Sequence, residues 1–422
     1  MKPLSRAAIV AVGSELLTPS KIDTNSLYVT EQLNRLGIDV VTKIVAGDDR
    51  DGLSRAFRTL LEQADLVVSC GGLGPTDDDV TREAIAQALE RTLTEDPAIA
   101  EALRQRFAAR GLGVMPEINR RQAMVPAGAR PLENARGSAP GLWIEAGERV
   151  VVLLPGPPRE LKPMVTALVD GPLRERAAGV PLVRRVVRVT GRFESQVDET
   201  LAPLYRRWRS RTPGVSATIL ASPGSIELHL SSRAASLQGG EAALEIAVSE
   251  AVAALGDDAY SADGRRLEQV VGDLLVERRL RVAVAESCTG GLVVSRLTDV
   301  PGSSRYLDLA VVTYANAAKT AVLGVPSALI QEHGAVSRPV VVAMAEGIRQ
   351  KAGAEVGVAV SGIAGPDGGV PGKPVGTVHV AALLGSETRT REFRFLGDRE
   401  LVKFQASQAA IDLVRRLLLG SP

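Results

Sequence analysis

Apolar runs and amphipathic segments alternate along the first 168 residues of the chain. "AAIVAV", which starts at residue 7, and "DLVVSC", which ends at residue 70, are continuous apolar runs that predict strands buried on both faces. "TNSLYVTEQLNRLGIDV" predicts a helix with Leu27, Leu33 and Leu36 on one face, ending at Gly37. The alternation predicts a parallel, doubly wound α/β sheet whose ligand-binding loops follow the strands.

The pattern changes after Pro172. "LVRRVVRVTG" and "SIELHLSSR" alternate as strands, and "ESQVDETLAPLYRRW" and "EAALEIAVSEAVAALG" predict helices, so we expect a small α+β module for spacing or dimerisation. A second α/β pattern begins at Arg265 and ends with a helix from Glu400 to Leu419. The sequence therefore predicts three domains, 1–170, 171–258 and 259–422.

Composition narrows the class of protein. The 422 residues are 45% hydrophobic and 23% charged, as in folded proteins of two or three domains. The net charge of +1 argues against a nucleic-acid or membrane partner, and no apolar stretch has the length of a bilayer span, so we expect a cytoplasmic protein. Cys70 and Cys288 are far apart in sequence, which argues against disulfides and structural zinc, and three histidines weaken any His-based triad.

Several loops of the first domain carry candidate chemistry. These loops are "GSELL" (13–17), "DTN" (23–25), "AGDDRD" (46–51), "GGLGPTDDDVTREA" (71–84) and "PGPPREL" (155–161). The glycines Gly71, Gly72 and Gly74 allow a phosphate to approach the backbone closely. The adjacent carboxylates of Asp77, Asp78 and Asp79 would repel that phosphate unless a Mg²⁺ ion bridged the phosphate and the carboxylates. Metal-assisted phosphoanhydride chemistry is one hypothesis, and an acidic helix cap at "TDDD" is the alternative.

A second candidate site lies in "AVAESCTGGLVVSRL", residues 283–297. A short strand is predicted over 281–285 and a helix over 292–297, so Ser287 and Thr289 fall at the junction between them. The unpaired first-turn N–H groups of such a helix can hold an anion, and the backbone N–H groups of 288–290 are candidate oxyanion donors. The alternative is that Ser287 or Thr289 only caps the helix.

These motifs in this order carry a family resemblance. The glycine loop with its trailing Asp-Val-Thr looks like the molybdopterin-binding fold, and together with "PGPPREL", "ESCTGG" and "SGIAGPDGG" the whole chain resembles the CinA (competence/damage-inducible protein A) family. The resemblance implies a Mg²⁺- and K⁺-dependent ADP-ribose pyrophosphatase in the first domain. It implies a nicotinamide mononucleotide deamidase without a cofactor in the third domain, and a homodimer.

The resemblance also implies roles for single residues. Ser287 matches the family's nucleophile, and Lys319 matches the lysine that acts as its base, with a pKa lowered by burial. Tyr314 matches the tyrosine near that lysine, and Ser361 stands where relatives usually carry Thr. Asp79 matches a carboxylate of the molybdopterin-binding relatives, and either Asp48 or Asp49 a second one. The remaining candidate substrate-binding residues are Asn25, Thr289, Gly290, Gly362, Gly365 and Arg399, with the nucleotide phosphate on the 362–365 loop or on an arginine such as Arg399. Cys288 is an alternative nucleophile that we assign to packing.

The sequence thus predicts a bifunctional hydrolase. One unit would convert nicotinamide mononucleotide to nicotinate mononucleotide and ammonia, and the other would cleave ADP-ribose to AMP and ribose 5-phosphate. Two alternatives remain open: a first domain that binds a nucleotide or pterin without turnover, and a competence-related scaffold. The balanced charge and the 3% aromatic content argue against direct binding of DNA.

Overall fold

The computed structural model describes residues 3–109, 114–222 and 224–420. The chain forms two compact units, Met1–Val183 with Arg233–Glu241 and Arg184–Ser232 with Ala242–Pro422. The sequence predicts three domains, whereas most of the central segment clusters with the third one. Each unit is described by itself.

The first unit is built on a six-stranded sheet. Its order is β2 (Asp39–Ala46), β1 (Arg6–Val12), β3 (Leu66–Cys70), β8 (Arg149–Leu154), β7 (Gly141–Ala146) and β6 (Ala129–Leu132). The first four strands are parallel, as predicted, but β7 and β6 are antiparallel. The reason is the connection length, because the residues between β7 and β8 can form a hairpin turn but not a crossover.

Helices cover both faces of this sheet, as a doubly wound fold requires. They are α1 (Asn25–Arg35), α2 (Arg50–Gln63), α3 (Thr81–Ala88), α4 (Pro97–Ala109), α5 (Pro158–Asp170) and α6 (Pro172–Arg176), and β4 (Leu93–Glu95) pairs with β5 (Met124–Pro126) in a separate ribbon. One apolar cluster joins α1 and α5 to one face, and another joins α2 and α3 to the other. In α1 the buried residues include Val29 and Leu33, whereas Leu27 is exposed, so its predicted place on the core face is wrong.

The central segment forms a four-stranded sheet with two helices. The strand order is β10 (Val215–Ser222), β11 (Ser225–Arg233), β9 (Leu182–Val189) and β12 (Ala259–Ser261), and the helices are α7 (Glu194–Arg209) and α8 (Leu237–Leu255). The short strand β12 comes from the start of the predicted third domain and pairs antiparallel with β9. A strand shared in this way explains why no domain boundary falls near residue 258.

The candidate active site lies on a five-stranded sheet. Its order is β14 (Leu307–Val312), β13 (Val282–Glu286), β15 (Val356–Gly362), β16 (Thr377–Leu384) and β17 (Glu387–Arg394). Strand β13 is parallel to both of its neighbours, and β16 and β17 are antiparallel. The helices are α9 (Leu267–Arg278), α10 (Leu292–Thr298), α11 (Asn316–Leu323), α12 (Ser327–His333), α13 (Arg338–Ala352) and α14 (Arg399–Leu419).

The helices of this second α/β fold also lie on two faces of the sheet. Residues of α9, α10 and α14 share one apolar cluster with the strands, and residues of α11, α12 and α13 share another. The predicted strand before Ser287 and the helix after it are confirmed. Among the described residues, no helix has both the length and the apolar character needed to cross a lipid bilayer.

Candidate active site

Ser287 lies where the central strand β13 turns into helix α10. Its N–H donates to the carbonyl of Val360 on the neighbouring strand at 3.0 Å, and 8% of the residue is exposed. The chain then turns through Gly290 and Gly291, whose φ angles of +62° and +98° are rarely adopted by residues with side chains. The turn therefore holds the hydroxyl at the carboxyl edge of the sheet, where parallel α/β folds bind ligands.

Lys319 of α11 lies beside this hydroxyl. Its Nζ is 3.2 Å from Ser287 Oγ, 2.8 Å from the Thr313 carbonyl oxygen and 3.2 Å from the Tyr314 carbonyl oxygen. A neutral amine has two N–H donors and one lone pair. The two carbonyls can accept both N–H groups, so the lone pair is left facing the serine O–H. This geometry suits removal of the serine proton.

The surroundings of Lys319 favour its neutral form. The residue is 1% exposed, and burial lowers the pKa of its ammonium group below the usual lysine value. Within the described parts of the chain, Lys319 forms no ion pair with a carboxylate that would restore the charged form. A lysine whose head is buried in this way is not a snorkelling surface residue.

The N-terminus of α10 is already occupied by a side chain of the protein. The Glu286 carboxylate accepts hydrogen bonds from the N–H groups of Gly291 (2.9 Å), Val293 (3.1 Å) and Val294 (2.9 Å). The prediction that these first-turn groups bind an external anion is therefore wrong. The alternative that Ser287 or Thr289 caps the helix is also wrong, because the N-cap residue is Gly291 and the Glu286 carboxylate takes the first-turn N–H groups.

The candidate oxyanion donors differ in availability. The Gly290 N–H donates to the Ser287 carbonyl at 3.1 Å, whereas those of Cys288 and Thr289 form no backbone hydrogen bond among the described residues. The hydroxyl oxygen of Thr289 is buried and has no hydrogen-bond partner among the described residues. Burial raises the pKa of the Cys288 thiol to about 12, which agrees with a packing role rather than a nucleophilic one.

The other predicted residues form a chain of contacts around the dyad. Ser361 Oγ donates to the Ala335 carbonyl at 2.7 Å, so its proton points away from Ser287. The Tyr314 side chain is 59% exposed, and its phenol oxygen accepts a hydrogen bond from Arg399 at 2.8 Å. Arg399 also donates to the Gly365 carbonyl at 2.7 Å. Tyr314 therefore contacts Lys319 through its backbone and Arg399 through its side chain.

Lys403 is a candidate binding residue that the sequence reasoning missed. It lies one turn after Arg399 on α14, and its Nζ is 3.7 Å from the position that a Cβ on Gly290 would take. Both cations line an open cavity of about 780 Å³. Neither forms a salt bridge with a carboxylate in the described structure. Two basic residues four apart at the start of a helix were the available sequence signal.

In the first unit, the predicted loops meet at the carboxyl edge of the parallel strands. Asp48, after β2, accepts a hydrogen bond from the N–H of Ser14, after β1, at 2.8 Å. Asn25 Nδ2 donates to the carbonyl of Gly156, after β8, at 2.7 Å, and its Oδ1 is buried without a partner in the described chain. The structure thus brings the predicted loops together at the edge of the sheet where parallel α/β folds bind ligands.

The glycine loop after β3 has no room for side chains. A Cβ on Gly71 would lie 2.3 Å from the Val12 carbonyl oxygen, and one on Gly72 would lie 2.1 Å from Thr81 Oγ1. The loop is held by Asp79, which accepts from the N–H groups of Gly74 (2.7 Å) and Thr76 (2.9 Å).

Arg82, which the sequence reasoning missed, supports the same loop. Its buried guanidinium donates to the Leu73 carbonyl at 2.6 Å, and burial lowers its pKa to about 10. Helix α3 begins after Val80 without a side-chain cap, so the acidic-cap interpretation of "TDDD" is wrong.

The predicted metal ligands do not form one site. Asp77 pairs with Arg121 at 2.8 Å, Asp49 caps α2 by accepting from the Gly52 N–H at 2.7 Å, and Asp48 and Asp79 hold loop N–H groups. In the described residues, no three His, Cys, Asp or Glu side chains could hold a metal ion together. The expected Mg²⁺ site of Asp48, Asp49, Asp77, Asp78 and Asp79 is thus not assembled, because these neighbours in sequence have different partners in the fold.

Two domain families match this chain. The "CinA C-terminal domain" matches residues 264–418, and the "Probable molybdopterin binding domain" matches residues 8–175. The chain is therefore an α/β protein with a molybdopterin-binding-like N-terminal domain and a further α/β domain, which confirms the predicted fold class.

Full-length relatives show the family. A CinA-like protein of Koribacter versatilis is 46% identical over 417 residues, covering 98% of this chain and 100% of that protein. A putative competence-damage inducible protein of Symbiobacterium thermophilum is 46% identical over 426 residues, covering 98% of this chain and 99% of that protein. The chain belongs to the CinA family. The crystal structure of competence/damage inducible protein CihA from Agrobacterium tumefaciens is 37% identical, with a TM-score of 0.35, over 36% of this chain and 93% of that chain.

Proposed function

We propose that the second unit is an amidohydrolase that converts nicotinamide mononucleotide to nicotinate mononucleotide and ammonia. The observation that carries the proposal is the buried Lys319 amine, 3.2 Å from Ser287 Oγ. A Ser-Lys pair without histidine suits acyl transfer from an amide. The choice of substrate rests on the resemblance to the CinA family.

The reaction follows from this pair. Lys319 takes the serine proton as Ser287 Oγ attacks the carboxamide carbon, and the resulting oxyanion accepts hydrogen bonds from the N–H groups of Cys288 and Thr289. The Lys319 ammonium returns the proton to the amide nitrogen as the C–N bond breaks, so ammonia leaves and an acyl-enzyme remains. Water, deprotonated by Lys319, then attacks the ester, and the Lys319 ammonium gives the proton to Ser287 Oγ as its bond to the acyl carbon breaks, which yields nicotinate mononucleotide and free Ser287.

Arg399 and Lys403 are proposed to bind the phosphate of the nucleotide. They line the cavity next to the Ser287 turn together with Asp398 and Glu400, and neither cation forms an ion pair with a carboxylate of the described chain. Arginine and lysine are the side chains that commonly bind phosphate oxygens. These contacts would be equal in the ground state and the transition state, so they should lower KM rather than raise kcat.

The experiment that tests the deamidase is the release of ammonia and nicotinate mononucleotide by wild type and Ser287→Ala. We expect turnover by wild type and a loss of at least about 10³-fold in the variant, with circular dichroism unchanged. Ser295→Ala, on the following helix, is the matched control. Near-wild-type ammonia release by Ser287→Ala would overturn the mechanism.

The phosphate contacts have a separate test. Lys403→Ala should raise KM for nicotinamide mononucleotide about tenfold and leave kcat within about threefold, because one phosphate contact is lost. Nicotinamide riboside lacks the phosphate, so its kcat/KM should not change in the variant. An equal loss of kcat/KM on both substrates would exclude phosphate binding by Lys403.

For the first unit, we propose cleavage of ADP-ribose to AMP and ribose 5-phosphate. The loops after β1, β2 and β8 meet at the carboxyl edge of the sheet, which supports binding of a ligand there. The N–H of Gly71 already donates to the Leu154 carbonyl, so a pyrophosphate would bind to other groups of these loops. The carboxylates do not form a prepared metal cage, so any Mg²⁺ is proposed to bind mainly through the phosphates of the substrate, with K⁺ as a second cation. Formation of AMP with both cations supplied is the test. Tight ADP-ribose binding without AMP would favour the non-catalytic module.

A further inference from the structure

A second cavity lies in the second unit away from the Ser287 site. Its volume is about 550 Å³, and its walls are the 190–194 loop, the ends of β10 and β11, strand β17 with the residues after it, and the middle of α14. Neither Ser287 nor Lys319 nor any residue of the 288–291 turn lines it. A cavity of this size fits a small organic ligand.

One wall of this cavity is aromatic. The rings of Phe393 and Phe395 are stacked at a centroid distance of 5.1 Å and an interplanar angle of 12°. Phe193, which precedes α7, lines the same cavity and is 77% exposed. Phe393 and Phe395 are partly buried against the core, so the exposed ring of Phe193 offers the larger stacking surface for a planar ring.

The charge of the cavity is positive. Arg391 and Arg394 line it, and neither forms a salt bridge or side-chain hydrogen bond with another described residue; Arg391 lies 5.5 Å from the centre of the Phe393 ring. The carboxylate of Asp412 is neutralised by Arg415 and Arg416. The carboxylate of Glu194 also lines the cavity, but the two arginines outnumber it and favour an anionic ligand. Guanidinium groups match the geometry of phosphate oxygens.

The remaining cation of the cavity does not contribute to this binding. Arg192 donates to Asp258, to Thr200 Oγ1 and to the Leu255 carbonyl, so its guanidinium is already engaged. The two free arginines therefore determine where the anionic group of a ligand would bind.

Gln408 adds a polar group that is left unpaired. It is 3% exposed and lines the cavity, and its Oε1 accepts from Arg296 at 2.6 Å. Because arginine can only donate, this contact fixes the amide orientation and leaves Nε2 as a donor, which has no partner among the described residues. A buried donor without a partner is unusual, but this nitrogen is enclosed by protein atoms, so the Gln408 amide stays with Arg296 and does not face a ligand in the cavity.

We infer that this cavity is a second binding site, for a nucleoside monophosphate: the base stacks on the phenylalanine side chains of the cavity, and the phosphate binds Arg391 and Arg394. This inference does not depend on the proposed deamidase. It concerns residues that neither proposed reaction uses.

The test is photolabelling of the full chain with 8-azidoadenosine 5′-monophosphate, followed by peptide mapping. We expect crosslinks in the peptides that contain Phe193 or Phe393–Phe395, and competition by AMP at least about tenfold better than by adenosine, because two arginines bind the phosphate. The double variant Arg391→Ala/Arg394→Ala should lose at least nine-tenths of this labelling. Arg278→Ala, an exposed arginine on α9, is the matched control and should label as wild type.

Several results would overturn the inference. Labelling confined to peptides of the first unit would place the nucleotide elsewhere. Equal competition by adenosine and AMP would show that the arginines do not bind the phosphate, and stronger competition by a single-stranded oligonucleotide would indicate a polymer instead. The wild-type peptide map remains decisive even where the double variant fails to fold.

Discussion

The two glycine loops of the molecule differ in what their charged groups do. Each follows a buried parallel strand, Cys70 ending one and Glu286 the other, and each turns through glycines with positive φ. In each, a carboxylate accepts hydrogen bonds from backbone N–H groups, Asp79 in the first loop and Glu286 in the second. Both loops are therefore held in shape by the protein's own anions.

The difference lies in the reactive groups next to these loops. Beside the second loop, the buried hydroxyl and amine of Ser287 and Lys319 are already within hydrogen-bond distance. Beside the first, Asp77 is fully exposed and paired with Arg121, and no described cluster could hold a metal. The second loop thus holds a hydroxyl and an amine together without a ligand, whereas the first loop offers a shaped backbone, and the chemistry proposed for it depends on what a ligand supplies.

The largest expected effect comes from replacing the amine of the second loop. Lys319→Arg keeps a cation that cannot act as a base, and Lys319→Met removes the cation, so both should lower kcat for ammonia release by at least about 10³-fold. AMP formation by the first unit should be unchanged in both variants. Lys351→Met, at an exposed position of α13, is the control, and activity within tenfold of wild type in Lys319→Arg would contradict the base role.

The pH dependence should separate the two units. In the proposed mechanism the neutral amine of Lys319 is the active form, so kcat/KM for deamidation should rise about tenfold per pH unit below its pKa and level off above it. Because burial lowers that pKa, the plateau should begin at a lower pH than an exposed lysine would give. The rate of AMP formation by the first unit should not show this rise with pH. A deamidation rate that is constant between about pH 6 and pH 10 would contradict this assignment.

The carboxylates that hold the two loops should differ in their contribution to stability. Glu286→Ala removes the acceptor of three N–H groups, one buried and two partly buried, so we expect the free energy of unfolding to fall by about 2–4 kcal/mol. Asp79 is less buried, and Asp79→Ala should cost about 1–2 kcal/mol. Urea denaturation can follow each unit separately, with Trp143 reporting the first and Trp208 the second. A larger loss of unfolding free energy in Asp79→Ala than in Glu286→Ala would contradict this prediction.

The smallest expected effect concerns the thiol beside the nucleophile. Burial raises the pKa of Cys288 to about 12, so the group stays protonated and unreactive near neutral pH. Cys288→Ala should change kcat by less than about threefold, and native protein should react slowly with iodoacetamide. Rapid alkylation with loss of activity would make Cys288 the nucleophile instead.

The fold class and the family could be predicted from the sequence, because both depend on local signals. Continuous apolar runs and amphipathic segments identify strands and helices one at a time, and the motifs around Ser287 and Gly71 are short and ordered. The strand before Ser287 and the helix after it are confirmed for this reason. The antiparallel β6 and β7 were missed, because pairing direction depends on connection length and not on the apolar pattern.

The sequence alone determined the order of the elements, the family and the residue types at each loop. Only the tertiary structure decided which polar atoms meet. It placed Lys319 beside Ser287 across 32 positions, gave Glu286 rather than a ligand to the N–H groups of α10, and gave neighbouring aspartates different partners. The physical reason is that burial and hydrogen bonding depend on distances between elements, which the spacing of residues along a chain does not fix.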